Sequence, residues 1–273
     1  VRVAVTGAAG FVGRYVLAEL AERGEEIVAV AGPRHAAERR PRAPARWVTI
    51  DVAAPPADAY SALGSPDVVI HLAWAGLPNY RSLHHFATEL PLQYRFLDNL
   101  VRHGLPALVG VGTCFEYGMQ SGAIAADAPT RPTNPYGYAK DALHRQLQFL
   151  KAEKPFALTW ARLFYVYGDG QAPTSLWSQL NAAVAAGARE FDLSGGEQVR
   201  DYLPVAEAAR QIVGRARARA DRGAINVCSG APITVRRLVE GWKHERGWPI
   251  ELNFGRIPYP DYEPFAFWGV PTE

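Results

Sequence analysis

The sequence contains only two cysteines, Cys114 and Cys228, in 273 residues, and both lie in strand-like surroundings. That scarcity excludes a disulfide-stapled scaffold and points to a reducing, cytoplasmic setting. No apolar run reaches the roughly 18 residues that would span a bilayer, and no cleavable signal pattern opens the chain. The formal net charge is only +2, so electrostatics give no reason to expect nucleic acid or a membrane surface as a partner. His, Cys and Asp do not gather at metal-ligand spacing, and His84-His85 reads as a helix start, so no metal is expected. There is no internal repeat.

What is present is a large apolar fraction, 48% of residues, enough to bury a sizeable core. Strand and helix patterns alternate from Val1 to about Ala161, with strands near 1–6, 26–31, 46–50, 67–72, 107–112 and 156–161. Such alternation predicts an α/β fold built on a parallel, doubly wound sheet of Rossmann type. Beyond it, Gly- and Pro-punctuated segments alternate with short helices near 174–187, 205–218 and 234–244. We therefore expect a sheet domain over 1–161 and a smaller α/β substrate lobe over 162–273, with the chain crossing back to the first domain.

The segment Val3-Ala4-Val5-Thr6-Gly7-Ala8-Ala9-Gly10-Phe11-Val12-Gly13-Arg14 joins a β-branched run to three glycines at three-residue intervals and then to an apolar helical pattern. This is a strand entering a phosphate-binding turn. Gly7 permits the bend, Gly10 lets the backbone approach a pyrophosphate, and Gly13 lets the helix pack on the strand. The helix N-terminus offers free N–H groups to the anion.

Tyr136-Gly137-Tyr138-Ala139-Lys140 opens a second helical segment, with apolar spacing through Leu143, Leu147 and Leu150. Tyr136 and Lys140 are one turn apart on one face, whereas Tyr138 faces elsewhere. A phenol with a reference pKa near 10 exchanges protons poorly at neutral pH unless a neighbouring cation stabilises its phenolate, and Lys140 is placed to do that. Between the two motifs, Leu108-Val109-Gly110-Val111-Gly112-Thr113 reads as a buried parallel strand that delivers a hydroxyl to the sheet edge. Thr113 can there hydrogen-bond a carbonyl or alcohol beside Tyr136.

These residues resemble the extended short-chain dehydrogenase/reductase family, which includes nucleotide-sugar epimerases, dehydratases and reductases. Further matching motifs are Val69-Ile70-His71-Leu72-Ala73, Arg162-Leu163-Phe164-Tyr165-Val166-Tyr167-Gly168, Gly195 to Val205, and Asn226-Val227-Cys228-Ser229-Gly230. The resemblance implies catalytic roles for Thr113, Tyr136 and Lys140. It places Gly7, Gly10, Phe11, Val12, Gly13, Arg14, Asp51, Val52, Leu72, Ala73, Tyr136 and Lys140 around a nicotinamide dinucleotide, with Asp51 at the adenine. Thr113, Cys114, Tyr165 and Arg200 would face a nucleoside-diphosphate sugar, with Arg200 as a fork for phosphate oxygens; Tyr165 replaces an asparagine common in the family.

The second strand ends Val28-Ala29-Val30-Ala31-Gly32-Pro33-Arg34 without an acid, so a ribose 2′-hydroxyl finds no carboxylate there. Arg34 and Arg14 would suit a 2′-phosphate, which favours NADP(H) and leaves NAD(H) open. Dehydratases of the family carry Asp-Glu directly after the Thr113 position, where this chain has Cys114-Phe115. Reductases that also epimerise C3 and C5 carry a cysteine and a histidine at the positions of Phe115 and Gly170. Both reactions are disfavoured. What remains is reduction of a nucleoside-diphosphate 4-keto-6-deoxyhexose at C4, 4-epimerisation with retained NAD, or, remotely, a non-catalytic dinucleotide sensor. The helices over 84–103 and 136–153 are expected to pair with a second copy as a homodimer, because Phe86, Leu90, Phe96, Leu97 and Leu100 exceed one core-facing stripe.

Overall fold

The β-branched N-terminal run becomes the middle of a seven-stranded sheet, because every one of its residues from Val3 to Thr6 is buried on both faces. The computed structural model describes residues 1–33 and 43–272. In chain order the strands are β1 (Arg2–Thr6), β2 (Glu26–Ala31), β3 (Ala45–Thr49), β4 (Val68–His71), β5 (Ala107–Thr113), β6 (Gly122–Ile124), β7 (Ala157–Leu163) and β8 (Tyr165–Tyr167). They continue as β9 (Glu190–Asp192), β10 (Val199–Arg200), β11 (Tyr202–Pro204), β12 (Gly223–Val227), β13 (Ile233–Thr234), β14 (Glu251–Asn253) and β15 (Phe267–Gly269). The α-helices are α1 (Phe11–Glu22), α2 (Ala59–Ala62), α3 (Leu90–Arg102), α4 (Pro135–Glu153), α5 (Leu176–Ala185), α6 (Val205–Ala218) and α7 (Val235–Arg246).

The main sheet runs β12-β7-β5-β4-β1-β2-β3, and every pairing in it is parallel. This is the doubly wound Rossmann-type α/β fold expected from the alternation. The strand order reverses between β1 and β4, which opens a crevice at their C-terminal ends, the place where such sheets bind ligands. Period-two alternation divides the core. Val3, Val5, Ile27, Ala29, Val68 and Ile70 pack with Leu17 and Leu20 of α1 and Ile212 and Val213 of α6, while Ala4, Val28, Val69 and Leu108 pack with Leu97 of α3 and Leu143 and Leu147 of α4.

A separate core forms from Trp177, Leu180, Leu193, Val235, Leu238, Val239, Trp242 and Ile250 under α5 and α7. The chain does not pass cleanly from one body to the other: α6 packs on the main sheet and β12 joins it although both follow residue 162. Four two-stranded pairings, β8 with β11, β9 with β14, β10 with β13 and β6 with β15, tie the later segments together.

Two local expectations change. The helix expected over 84–103 is a π-turn at His85–Glu89 followed by α3. Pro91 explains the shift, since it has no N–H for the Ala87 carbonyl and its ring would collide with that carbonyl in an α register. Of the apolar residues assigned to a dimer face, Phe96, Leu97 and Leu100 are fully buried in this chain's own core, so only Phe86 and the half-buried Leu90 remain of that set.

Candidate active site

The glycine turn is as tight as its spacing demands. Gly7 has φ of 67°, and a Cβ there would stand 2.9 Å from the Ala73 nitrogen at the end of β4. A Cβ on Gly13 would stand 2.2 Å from the Gly7 carbonyl oxygen, so only glycine lets α1 begin against the turn. No side chain caps α1 at Gly10, which leaves the first helical N–H groups available to an anion. Phe11 stacks edge-on with Tyr15, Val12 packs on the core, and Arg14 lies with its guanidinium against Gly170 in the loop after β8. Arg34 lies outside the described residues, so a clamp shared with Arg14 does too. Asp51 follows β3 and its Oδ1 accepts the Ala53 N–H at 2.9 Å, while Val52 packs half-buried beside it.

A buried polar chain supports this turn and was not singled out from the sequence. Thr6 Oγ1 accepts the Leu72 and Ala73 N–H groups at 3.2 and 3.3 Å and lies 2.9 Å from His71 Nδ1. His71 Nε2 donates to Gln93 Oε1 at 2.9 Å, Gln93 Nε2 donates to Glu89 Oε2 at 2.8 Å, and Glu89 Oε1 meets His84 Nε2 at 3.2 Å. Because Gln93 offers an acceptor, His71 carries its proton on Nε2 and takes the Thr6 hydroxyl on Nδ1. Burial and nearby Lys140 lower His71 to about 3. The sign follows: between its ordinary 6.5 and about 3, the unfolded chain binds a proton that the folded chain refuses. Stability is therefore expected to fall by roughly 5 kcal/mol as pH drops across that window and to level off below it. Urea unfolding at stepped pH checks this; His71→Asn should remove one proton's worth of slope, and an unchanged slope would refute the assignment.

Tyr136 and Lys140 start α4, capped by Asn134, whose Oδ1 accepts the Gly137 N–H at 2.8 Å. Gly137 is required there because a Cβ would stand 2.6 Å from the Phe115 oxygen. Tyr136 and Lys140 are both buried, whereas Tyr138 is 54% exposed. Lys140 Nζ donates to the Val111 carbonyl at 2.9 Å, which ties α4 to β5 two residues before Thr113. The Tyr136 ring sits among Trp74, Tyr80, His85 and Phe115, at centroid distances of 6.1, 5.6, 5.2 and 6.4 Å. Thr113, Tyr136 and Lys140 thus converge at the C-terminal end of β5.

The electrostatics differ from the sequence expectation. Burial pushes the Tyr136 phenol above its ordinary value, with Tyr80, Glu116 and Cys114 adding to the rise. Burial also lowers Lys140 to about 7, against the pull of Glu116 and Glu89. Lys140 does not hold the phenol down, because its Nζ is turned to Val111 and lies 4.0 Å from the Trp74 ring centre but 6.0 Å from that of Tyr136. In a pocket walled by aromatic rings, desolvation outweighs that distant charge.

Thr113 is held by a capping box: its N–H donates to Glu116 Oε1 at 2.9 Å, and its Oγ1 accepts the Phe115 N–H at 3.3 Å. Cys114 faces a small core with Tyr117, Phe164, Cys228 and Phe267. Both cysteines are free, and burial raises each thiol, so neither is a ready nucleophile. The Tyr165 ring packs against Tyr202 and Phe267, with Arg200 and Glu263 beside it.

Arg200 departs from expectation. It is 3% exposed and its fork is already engaged, with Nε and Nη2 donating to Glu263 Oε2 at 3.1 and 3.0 Å and Nη1 donating to the carbonyls of Val199 and Phe265. Its partner is neither Glu197, which lies beside Arg236 and Tyr259, nor Asp201, which accepts the Ser229 and Gly230 N–H groups. Arg200 thus anchors a segment that crosses the site mouth, where Arg81 pairs with Asp261 at 2.6 Å and Tyr262 packs near Tyr80 and Phe115. Sequence spacing carried no signal for Glu263, which is 63 residues from its partner.

Among the described residues, no group of three His, Cys, Asp or Glu side chains could hold a metal ion, and no helix is long and apolar enough to cross a membrane.

Fold and site together define an α/β protein with a glycine-rich turn at the switch point of its sheet and a Tyr-x-x-x-Lys helix beside it. The chain belongs to the NAD dependent epimerase/dehydratase family, whose model matches residues 3–228. It is 27% identical, over 98% of its length and 99% of the relative's, to a dTDP-6-deoxy-L-talose 4-dehydrogenase (NAD(+)) of Aggregatibacter actinomycetemcomitans. It is 30% identical to a dTDP-6-deoxy-L-talose 4-dehydrogenase (NAD(P)(+)) of Kitasatospora kifunensis, covering 95% of this chain and 83% of the other. Among solved structures it is similar to MoeE5 in complex with UDP-glucose and NAD, with a TM-score of 0.81 and 27% identity over 98% of this chain and 89% of that one. The protein is accordingly an enzyme of a nucleotide-sugar-modifying, NAD(P)-dependent family.

Proposed function

We propose that the protein interconverts a ketone and an alcohol at C4 of a nucleoside-diphosphate 4-keto-6-deoxyhexose, working as a reductase. The observation that carries this reading is the burial of Tyr136 and Lys140 on one turn of α4 against the end of β5, with Cys114 and Phe115 where dehydration would need carboxylates. The names of two relatives describe 4-dehydrogenases, which is the same bond change read in the oxidising direction.

When bound, a nicotinamide dinucleotide supplies or accepts the hydride. The crowding at Gly7 and Gly13, where any Cβ would strike backbone, and the uncapped N-terminus of α1 fit a pyrophosphate. Asp51 and Val52 would hold the adenine side, Leu72 and Ala73 the wall beside the turn, and Lys140 the nicotinamide ribose. Tyr136 would give or take the proton at the C4 oxygen, with Thr113 as its hydrogen-bond partner there. Recognition of the diphosphate by Arg200 would require Glu263 to release the guanidinium, so the arginine would act together with the segment it anchors. The core under α5 and α7 would form the substrate lobe.

NADPH is the favoured donor because no acid follows β2, although one 4-dehydrogenase relative is named for NAD(+) and the other for NAD(P)(+). Incubation with a panel of 4-keto and 4-hydroxy sugar nucleotides, with NADPH or NADH in parallel arms, tests the reading by mass spectrometry. Stoichiometric NADPH consumption with a gain of two hydrogens is the expected result. Isomerisation at constant mass without added cofactor would replace it with a 4-epimerase.

A homodimer is proposed through the π-turn that leads into α3 and the outer face of α4, where Phe86, Tyr138 and Phe149 are 38%, 54% and 79% exposed. Light scattering at micromolar concentration should return twice the chain mass, and Phe149→Glu should halve it; a monomer at the start would reject the interface.

A further inference from the structure

Trp74 belongs to no motif of the turn or the helix, yet its ring centre lies 4.0 Å from the Lys140 Nζ, closer than any other ring. Its indole is itself tethered. Trp74 Nε1 donates to His85 Nδ1 at 3.1 Å, and His85 Nε2 donates to the Asn79 carbonyl at 2.8 Å. Those two partners fix the tautomer of His85: Nδ1 must be the acceptor and Nε2 must carry the proton, so the ring is neutral. His85 is fully buried, and burial lowers it further from its ordinary value. Its ring also packs 5.2 Å from that of Tyr136 and stacks on Trp74. The wide turn over His85–Glu89 makes this possible, since an i to i+5 register sets His84 over Glu89 while His85 turns inward.

We propose that Trp74 and His85 are positioning residues, a tethered aromatic clamp that covers the Lys140 ammonium and holds it beside Tyr136 at the end of β5. The proposal rests on the reading of Tyr136 and Lys140 as the catalytic pair. An ammonium has three donors; Val111 takes one, the Trp74 face covers a second side, and the third is left to a ligand. Covering Nζ with an indole has two opposed electrostatic effects, since the ring face attracts the cation while exclusion of water disfavours it. Burial is the largest influence on Lys140 and lowers it to about 7, so exclusion of water wins. The other groups facing Lys140 are Glu116 and Glu89, which favour its charge, and His71, His85 and Tyr136, all neutral in this arrangement.

The test needs no substrate. The chain has only four lysines, Lys140, Lys151, Lys154 and Lys243, and the other three are not buried. In the protein carrying 13C at lysine Cε, one resonance, identified by its loss in Lys140→Met, should titrate near 7. Trp74→Ala should admit water and move that titration up to about 8.5 or higher. Trp74→Phe keeps a ring over Nζ but lacks the Nε1–H tether, and should titrate between the two; it also serves should the alanine variant fail to fold. In turnover, Trp74→Phe should lower kcat about tenfold with little change in KM, and the matching limb of the pH profile should follow the lysine titration. An unmoved Lys140 titration in Trp74→Ala overturns the clamp, and a Trp74→Phe titration equal to wild type overturns the role of His85. Failure of the catalytic reading would appear separately, as wild-type turnover by Tyr136→Phe.

Discussion

Replacing Tyr136 by phenylalanine is expected to lower turnover of the C4 reaction by about 10²–10⁴-fold, the usual contribution of a placed proton donor. The substitution deletes one oxygen and leaves the ring against Trp74, Tyr80, His85 and Phe115, so packing in the pocket is retained. Among the described residues no hydrogen bond ends on that hydroxyl; the contact of Tyr136 that holds the loop is through its backbone N–H, which donates to the Tyr80 carbonyl at 3.2 Å. Stability should stay within about 1 kcal/mol of wild type, and dinucleotide affinity within about threefold, because the glycine turn and Lys140 are untouched. Steady-state assays on the substrate found in the nucleotide-sugar panel, with calorimetry for the dinucleotide, check both halves. Turnover at the wild-type rate would remove Tyr136 from the chemistry; loss of dinucleotide binding would make its role structural.

The sheet and the turn were legible in the sequence because the determinants are local. Buried parallel strands are continuous apolar runs, and Val3 to Thr6, Val68 to Ile70 and Leu108 to Val111 carry no charge to disturb that pattern. The positive φ of Gly7 and the clash a Cβ on Gly13 would make with the Gly7 carbonyl both arise within one turn of chain, so a spacing rule captures them, although the contact of Gly7 with Ala73 is long-range. Tyr136 and Lys140 were legible for the same reason, being four residues apart on a helix.

What was not legible depends on contacts across long stretches of chain. The partner of Arg200 is Glu263, 63 residues further along the chain, and neither of its sequence neighbours Glu197 and Asp201. The electrostatics of Tyr136 and Lys140 were expected from their spacing, but the outcome is set by Trp74 and Tyr80, which a separate loop folds over them. Phe96, Leu97 and Leu100 looked surplus to one helix stripe because the sequence does not show that α3 packs on both the sheet and α4. In each case the residue types were evident and their partners were not.

The same limit applies to Glu116, which supports Thr113 from beneath and for which a large loss of stability is expected on substitution. Its carboxylate is completely buried and accepts the Thr113 N–H, the Trp160 Nε1–H at 3.0 Å and the Arg162 Nε–H at 2.6 Å. Gly112 makes room for it, since a Cβ there would stand 2.2 Å from Glu116 Oε1. Arg162, itself 3% exposed, continues to the Tyr117 hydroxyl and the Ala126 carbonyl, and Tyr117 donates onward to Asn226 Oδ1 at 2.6 Å. Glu116→Ala would strand the Arg162 guanidinium in the core and unpair two N–H groups, at a cost of roughly 3–5 kcal/mol. For a chain of this size that is a fall of about 10 °C in Tm. The double variant Glu116→Leu with Arg162→Met removes both charges and should recover most of the loss, because a buried ion pair contributes little against well-packed apolar side chains. It should not recover turnover fully, since Thr113 still lacks the acceptor for its N–H. Urea unfolding of the two variants, with turnover measured alongside, separates these effects: a loss below about 1 kcal/mol for Glu116→Ala would show that water replaces the carboxylate and that Thr113 is held by β5 alone.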